Sequence, residues 1–351
     1  MIKNKEQVPF LEISESERNS SMELMRSIFE VQSVSGDMDA MKIFLYTFIA
    51  NLSDPTITIN SDDLGNIYVT KGRADTYPCI VSHIDTVHDI IPQEEYMVLD
   101  NGIEFFAIDL GTRSPTGIGA DDNNGIYTCL DNLIREDEIK LAFFVDEEIG
   151  CVGSRSCDMD FFLDVSFVLQ ADRKGYEDVV DNISGTKMFG MDFFDAIADD
   201  LDNYCRNLSD GGMTDVMQLA HNGLEVAMAN FSCGYYKPHS NYEYVVIDEL
   251  ILTSLLFRDI IKSAYSNGLV NEYQRDVYED RYSGWGYGAE FDDFDDSDPF
   301  AFNGSTASLP KPKKKNKDED VPCTFCGSTL EYDETMDAHY CHDCFDYDYN
   351  Q

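Results

Sequence analysis

The feature that most constrains this chain is a repeated one: apolar runs that stop abruptly at acids or a histidine. Tyr77 to Ile80 runs into Val81-Ser82-His83-Ile84-Asp85-Thr86-Val87. Leu141-Ala142-Phe143-Phe144-Val145 ends in Asp146-Glu147-Glu148-Ile149-Gly150, and Val165-Ser166-Phe167-Val168-Leu169-Gln170-Ala171 ends in Asp172. Short continuous apolar runs read as strands buried on both faces, the signature of a parallel sheet covered by helices. Burying the acids that close them costs several kcal/mol per ion (roughly, after relaxation) unless a counter-charge or a cleft relieves it. A solvated strand end explains one such cluster; it does not explain the repetition.

The segments between the runs alternate in kind. Glu15 to Phe29 and Met38 to Asn51 have helical apolar periodicity, separated by Ser33-Val34-Ser35-Gly36. Thr56 to Ile59 and Asn66 to Thr70 read as strands about an Asp62-Asp63-Leu64-Gly65 turn, and Tyr96 to Ile108 as a further hairpin. Helices are expected at Ile126 to Ile134, Asp192 to Asn207, Val216 to Asn222 and Asp248 to Tyr265, with a strand at Leu224 to Phe231. Strands alternating with helices predict an α/β three-layer sandwich with a mixed, mostly parallel sheet. Ligands of such folds bind beyond the carboxyl ends of the strands.

Two further stretches can reach that edge. In Gly117-Ile118-Gly119-Ala120-Asp121-Asp122-Asn123-Asn124-Gly125 small residues lead into an acidic pair and a helix. Taken alone, Asp121 reads best as a helix cap. Gly234-Tyr235-Tyr236-Lys237-Pro238-His239-Ser240-Asn241-Tyr242-Glu243 puts His239 on a loop before the last helix. His83 and Asp85, two apart on a strand end, face the same way, so a carboxylate can stand behind a metal-binding ring. Two histidines and four or five carboxylates suit two zinc ions, with cobalt or manganese also compatible. Metals about 3.5–4 Å apart clamp a water and a polarised carbonyl oxygen together. Of the adjacent Glu147 and Glu148, one becomes ligand and the other base.

In this order the motifs resemble those of the two-zinc exopeptidase superfamily, and above all tripeptide aminopeptidase (peptidase T) and its relatives, from about Met25 to Ala264. The resemblance implies the zinc exopeptidase fold. It implies His83, Asp121 and Asp172 on one zinc, and Asp121, Glu148 and His239 on the other. It makes Asp85 the residue that orients His83, and Glu147 the base that activates the attacking water and later protonates the leaving amine. Gly212-Met213-Thr214-Asp215 is similar to a glycine-threonine-aspartate turn near the family's site. The chain departs from the family at Asn123, where many relatives have lysine. It also departs in the short interval from Asp172 to His239, too small for the family's inserted lid domain. His88 and His221 fall in no motif and read as surface or helix histidines. Tyr235 and Tyr236 read as core or rim packing.

Residues 15–267 thus form the expected catalytic domain. Residues 268–320 change composition, with an acidic stretch to Asp298 and a basic Lys311 to Lys317 run, and read as a disordered linker. Residues 321–346 hold Cys323-Thr324-Phe325-Cys326 and Cys341-His342-Asp343-Cys344, a zinc ribbon whose four thiolates close one structural zinc site. The other six of the ten cysteines, Cys79, Cys129, Cys151, Cys157, Cys205 and Cys233, are scattered and read as reduced thiols. Asp plus Glu number 67 against 25 Lys plus Arg, a formal charge of -42, which disfavours nucleic acid and anionic membrane as partners. With no membrane-length apolar run and no signal-peptide pattern, a cytoplasmic location is expected. The activity expected is amide hydrolysis of small peptides, as an aminopeptidase. The same metal core also serves amidohydrolases of N-acyl amino acids, and a non-catalytic scaffold recruiting protein partners through the ribbon belongs to a third class.

Overall fold

The computed structural model describes residues 13–268, and the backbone of residues 331–333, 338–341 and 346–348. The chain divides into two units, Met1–Tyr282 and Ser283–Gln351. The expected linker from residue 269 to 320, and Cys323, Cys326 and Cys344 of the expected ribbon, lie outside the described residues.

Helices α1 (Glu15–Phe29) and α2 (Asp39–Asn51) open the first unit. Ser14 caps α1, its hydroxyl accepting from Glu17 N at 3.2 Å, and Met25, Ile28 and Phe29 form the buried face. Strands β1 (Ile57–Ser61) and β2 (Ile67–Lys71) pair antiparallel. Asp62 makes their turn, one carboxylate oxygen accepting from the backbone of Leu64, Gly65 and Asn66 at 3.0–3.1 Å. Next come β3 (Tyr77–His83), the hairpin β4 (Tyr96–Asp100) and β5 (Glu104–Asp109), and β6 (Ser114–Thr116). Helix α3 (Ala120–Arg135), β7 (Ile139–Phe144), the short α4 (Val152–Arg155) and β8 (Val165–Arg173) follow. Then come β9 (Asp178–Ile183), β10 (Thr186–Lys187), α5 (Met191–Asn203) and β11 (Asn207–Gly211). The unit closes with α6 (Asp215–His221), β12 (Ala227–Ser232), β13 (Tyr235–Tyr236), β14 (Tyr244–Val246) and α7 (Ile247–Ser266).

The main sheet runs β1-β2-β7-β3-β8-β12-β9-β10, with β11 added on β9. Its centre, β7-β3-β8-β12, is parallel, and antiparallel pairs flank it on both sides. Every residue of β3 and β7 is buried, as two covered faces require. Helices α1, α3, α5 and α7 pack together as one layer, and α4 packs with α6 as the other. This is the expected α/β sandwich. A smaller sheet, β13-β14-β5-β4 with β6, holds the loop that bears His239.

Between Asp172 and His239 the chain forms β9 to β13 with α5 and α6, and β9 to β12 extend the main sheet. No separate inserted domain occurs there among the described residues. Two boundaries differ from the sequence reading. α5 stops at Asn203, and Asn207 starts an edge strand, β11, whose polar Asn-Leu-Ser-Asp-Gly sequence shows no apolar alternation. In the second unit β15 (Glu331–Asp333), β16 (Ala338–Cys341) and β17 (Asp346–Asp348) form an antiparallel sheet, with Cys341 ending the middle strand.

Candidate active site

The carboxyl ends of β3, β7 and β8 bring His83, Glu147, Glu148 and Asp172 to one edge, where the start of α3 adds Asp121 and the β13–β14 loop adds His239. His83 Nε2 lies 3.2 Å from Asp121 Oδ1, 3.7 Å from Asp172 Oδ1 and 4.0 Å from Glu147 Oε2. His239 Nε2 lies 3.3 Å from Asp121 Oδ2 and 3.2 Å from Glu148 Oε1. Asp121 therefore offers one oxygen to each histidine.

The Asp121–Asp122 peptide is cis, and both residues have non-helical dihedrals. Capping, the role the sequence suggests for Asp121 alone, falls to Asp122. Its Oδ1 accepts from Gly125 N at 2.9 Å and its Oδ2 from His83 N at 3.2 Å. Asp122 is thus committed to the backbone, although it lies within ligand distance of His83 and Asp172; Asp121 is the carboxylate left to face both imidazoles.

Asp85 stands behind the His83 ring, where the sequence places it, but meets it chiefly through its backbone. The ring Nδ1 is 2.9 Å from the Asp85 carbonyl oxygen and 3.5 Å from the carboxylate. A proton kept on Nδ1 and donated to that carbonyl would leave the Nε2 lone pair for a metal once Nε2 sheds the proton it shares with Asp121. The Asp85 carboxylate instead grips the Glu147–Glu148 backbone: Oδ1 accepts from Glu147 N at 2.9 Å and Oδ2 from Glu148 N at 3.2 Å. Ser35 adds its hydroxyl to Oδ2 at 2.7 Å. Asp146, the first acid of the cluster, turns away with φ 54 and accepts from Gly36 N at 2.7 Å. Glu148 then points toward His239, and Glu147 sends Oε1 to the Cys151 thiol, which donates at 3.2 Å.

Asp172 is held by Thr214, from the turn noted in the sequence, and by Gln170 and Asn230, which the sequence reading passed over. Thr214 Oγ1 and Gln170 Nε2 donate to its Oδ2 at 3.0 and 3.3 Å, turning Oδ1 toward His83. Asn230 braces the backbone, accepting from Asp172 N and donating to Asp172 O, both at 2.9 Å. Gln170 stands two residues before Asp172 on one strand, so the alternation of β8 was the available signal. Tyr235 is not merely packing: it is buried, and its hydroxyl donates to Asp121 Oδ2 at 3.1 Å. His88 is not a surface histidine either, for its Nε2 lies 3.0 Å from the buried Glu243 carboxylate. His221 ends α6 outside this group.

The charges are mutually dependent. Burial alone would lower the His83 ring's pKa, but the Asp121, Asp172 and Asp85 carboxylates outweigh it and hold it well up. The carboxylates of Asp121 and Glu148 push His239 up to about 10. Burial would raise Asp121, yet His239 and His83 hold it well below the usual carboxylate range. Burial, with the Asp121 charge, pushes Asp172 up to about 8. Burial and the neighbouring Asp172 and Glu148 charges push Glu147 up to about 7 against the pull of His83.

This donor set fits a pair of divalent cations. It combines imidazole nitrogens with carboxylate oxygens, borderline and hard donors of the kind zinc takes in open sites. Nitrogen and oxygen atoms of His83, Asp121 and Glu148 lie within 4.8 Å of one another. Glu148 Oε1 is buried and meets no hydrogen-bond donor of good geometry, His239 Nε2 at 3.2 Å being its ion-pair neighbour, and a cation between the two would satisfy both. Beside Asp172 a cavity of about 230 Å³, lined by Arg173, Met213, Thr214, Asn230, Tyr235 and Pro238, opens toward the same edge.

Among solved structures, this architecture is that of the peptidase T-like exopeptidases. The aminopeptidase PepT from Bacillus cereus superposes with a TM-score of 0.58 at 14% identity, over 71% of this chain and 99% of that one. A tripeptidase from Staphylococcus aureus gives 0.54 at 13% identity, over 70% and 98% of the two chains. The TET1 peptidase of Pyrococcus horikoshii gives 0.52 at 13% identity, over 69% and 99%. No family model and no curated protein sequence matches the chain.

Proposed function

We propose that this chain is a two-metal hydrolase that cleaves amide bonds of small peptides as an aminopeptidase. The observation that supports this most is the Asp121 carboxylate set between His83 and His239, with Glu147 beside it and held off by Cys151. The fold, shared with aminopeptidases and a tripeptidase, agrees with it. In this reading His83, Asp121 and Asp172 hold one zinc and Asp121, Glu148 and His239 the other, with cobalt or manganese also suited to the donors. When bound, such a pair supplies a Lewis acid for the amide carbonyl and lowers the pKa of water. Glu147 takes the proton as the water oxygen bonds to the carbonyl carbon, and returns it to the amine nitrogen as the carbon–nitrogen bond breaks. The backbone bonds from Asp85 fix the Glu147–Glu148 segment for that exchange. The cavity beside Asp172 has room for one substrate side chain.

We further propose residues 15–267 as the catalytic domain of a cytoplasmic enzyme, 268–320 as a linker, and 321–346 as a ribbon. There Cys323, Cys326, Cys341 and Cys344 hold a structural zinc and offer a surface to a protein partner. No described helix is long and apolar enough to cross a membrane.

Elemental analysis and a peptide library test the reading. Three zinc per full chain, two in a chain ending at Asn267, and release of N-terminal residues from peptides are expected. Glu147→Gln should lower kcat by about 10²–10⁴-fold with metal content unchanged. Turnover of N-acyl amino acids in place of free-amine peptides would move the assignment to an amidohydrolase. A full chain with one zinc, held by the ribbon alone after reconstitution, would sink the hydrolase and favour a scaffold.

A further inference from the structure

We infer that Glu243 and His88 form a positioning pair that sets the occupancy of the second metal position, the one made by Asp121, Glu148 and His239. The inference rests on the two-metal reading above.

The Glu243 side chain is wholly buried, an expensive place for a carboxylate unless donors surround it. Three do. Its Oε2 accepts from Gly119 N at 2.8 Å and meets His88 Nε2 at 3.0 Å, and its Oε1 accepts from Asp121 N at 3.4 Å. Glu243 shares the β13–β14 loop with His239. Ser240 Oγ to Lys237 O and Tyr242 N to Ser240 Oγ are bonds within that loop, and the His239 ring reaches the Asp121 and Glu148 side chains. Glu243 instead reaches the backbone that presents Asp121. One carboxylate thus sets the spacing between the loop ligand and the shared ligand.

His88 comes from a third direction, on the segment leaving β3 five residues after His83. Its ring lies on Gly117, where a Cβ would fall 2.1–2.2 Å from ring atoms Cε1, Nδ1 and Nε2. Gly117 is therefore the residue that admits the imidazole. The pair ties together the exit of β3, the entry of α3 and the His239 loop. The first metal position needs less of this, because His83 and Asp172 stand on β3 and β8, neighbours in the sheet.

The test is a cobalt(II) titration of the metal-free full chain. Cobalt is the probe because thiolate ligation at the ribbon absorbs strongly in the near ultraviolet and is read apart from histidine–carboxylate sites. Glu243→Ala should weaken the second cobalt by about 10–100-fold, the usual effect of removing a group that orients a ligand, and weaken the first, which shares only Asp121 with it, much less. His88→Ala and Gly117→Ala should weaken the same site less, and Glu243→Gln, which still accepts from Gly119, should recover part of the loss. Equal weakening of both positions, or no change in either, in variants with the parent far-ultraviolet circular dichroism overturns the proposal. If Glu243→Ala does not fold, His88→Ala decides by the same selectivity. A parent chain that binds fewer than two cobalt ions outside the thiolate site removes the two-metal reading itself, and this inference with it.

Discussion

His83 and His239 stand 3.2 and 3.3 Å from the two oxygens of Asp121, but the chain delivers them in opposite ways. His83 closes a strand in the parallel centre of the sheet, 1% exposed, its Nδ1 fixed by a backbone carbonyl. His239 sits at φ 57 on a loop, with a side chain 52% exposed. One proposed ligand is positioned by a buried strand of the core. The other depends on side-chain bonds made across the chain. Such a site should load and lose its two cations unequally, the core-held position being the tighter.

The largest test of that contrast is to remove each imidazole in turn. His83→Ala leaves Asp85, Asp121 and Asp172 buried without their counter-group, so the metal-free fold should lose about 3–5 kcal/mol, the usual cost of breaking a buried pair. His239→Ala removes a half-exposed ring that also pairs with Asp121 and Glu148, so the metal-free fold should lose less, about 1 kcal/mol. Each variant should fail to retain one catalytic metal. Urea unfolding of the metal-free variants checks the energies, and equal losses would erase the distinction between core-held and loop-held ligands.

A smaller effect is expected from Asp85→Asn, which keeps the carbonyl bond to His83 Nδ1 but pairs an amide with the Glu147 and Glu148 N–H groups. Metal affinity should fall about tenfold, the lower end for groups that orient ligands. The loss should fall on the position that uses Glu148, while the His83 position is spared. Were Asp85 to act through the ring, the His83 position would weaken first.

The smallest effect concerns pH. In the metal-free protein neighbouring carboxylates push His239 up to about 10, and burial pushes Asp172 up to about 8 and Glu147 up to about 7, each above its unfolded value. The folded chain therefore binds more protons than the unfolded chain between about pH 5 and 9, and its stability falls as pH rises through that range. Affinity for the proposed zinc pair should change oppositely, because its ligands must shed the same protons. The difference in Tm between zinc-loaded and metal-free protein should widen from pH 6 to pH 9, and a constant difference would contradict these protonation states.

The sheet-borne half of the site was largely legible in the sequence, and the reason is local. A buried strand that ends in His83, in Glu147-Glu148 or in Asp172 announces itself within ten residues, since apolar continuity and sudden charge share one window. What escaped depends on contacts between distant segments. His88 meets Glu243 from 155 residues away, and neither residue's neighbours show it. That Asp122 takes the cap, while Asp121 faces the imidazoles as the resemblance implies, is decided by dihedral angles that two adjacent aspartates cannot reveal. Strands β9 and β11 pair with each other at one side of the sheet, and polar residues such as Asn207, Ser209 and Asp210 give β11 no alternation to detect.

The contact between Cys151 and Glu147 has a chemical consequence. Burial, and the negative charge of Glu147 and Asp215, push this thiol well above its ordinary range, so almost none of it is thiolate at neutral pH. The sulfur nearest the proposed chemistry is thereby among the least nucleophilic. Iodoacetamide or mild peroxide should reach the exposed Cys205 long before Cys151. A cysteine standing against a proposed general base would, in this protein, leave catalysis indifferent to oxidants and alkylating agents.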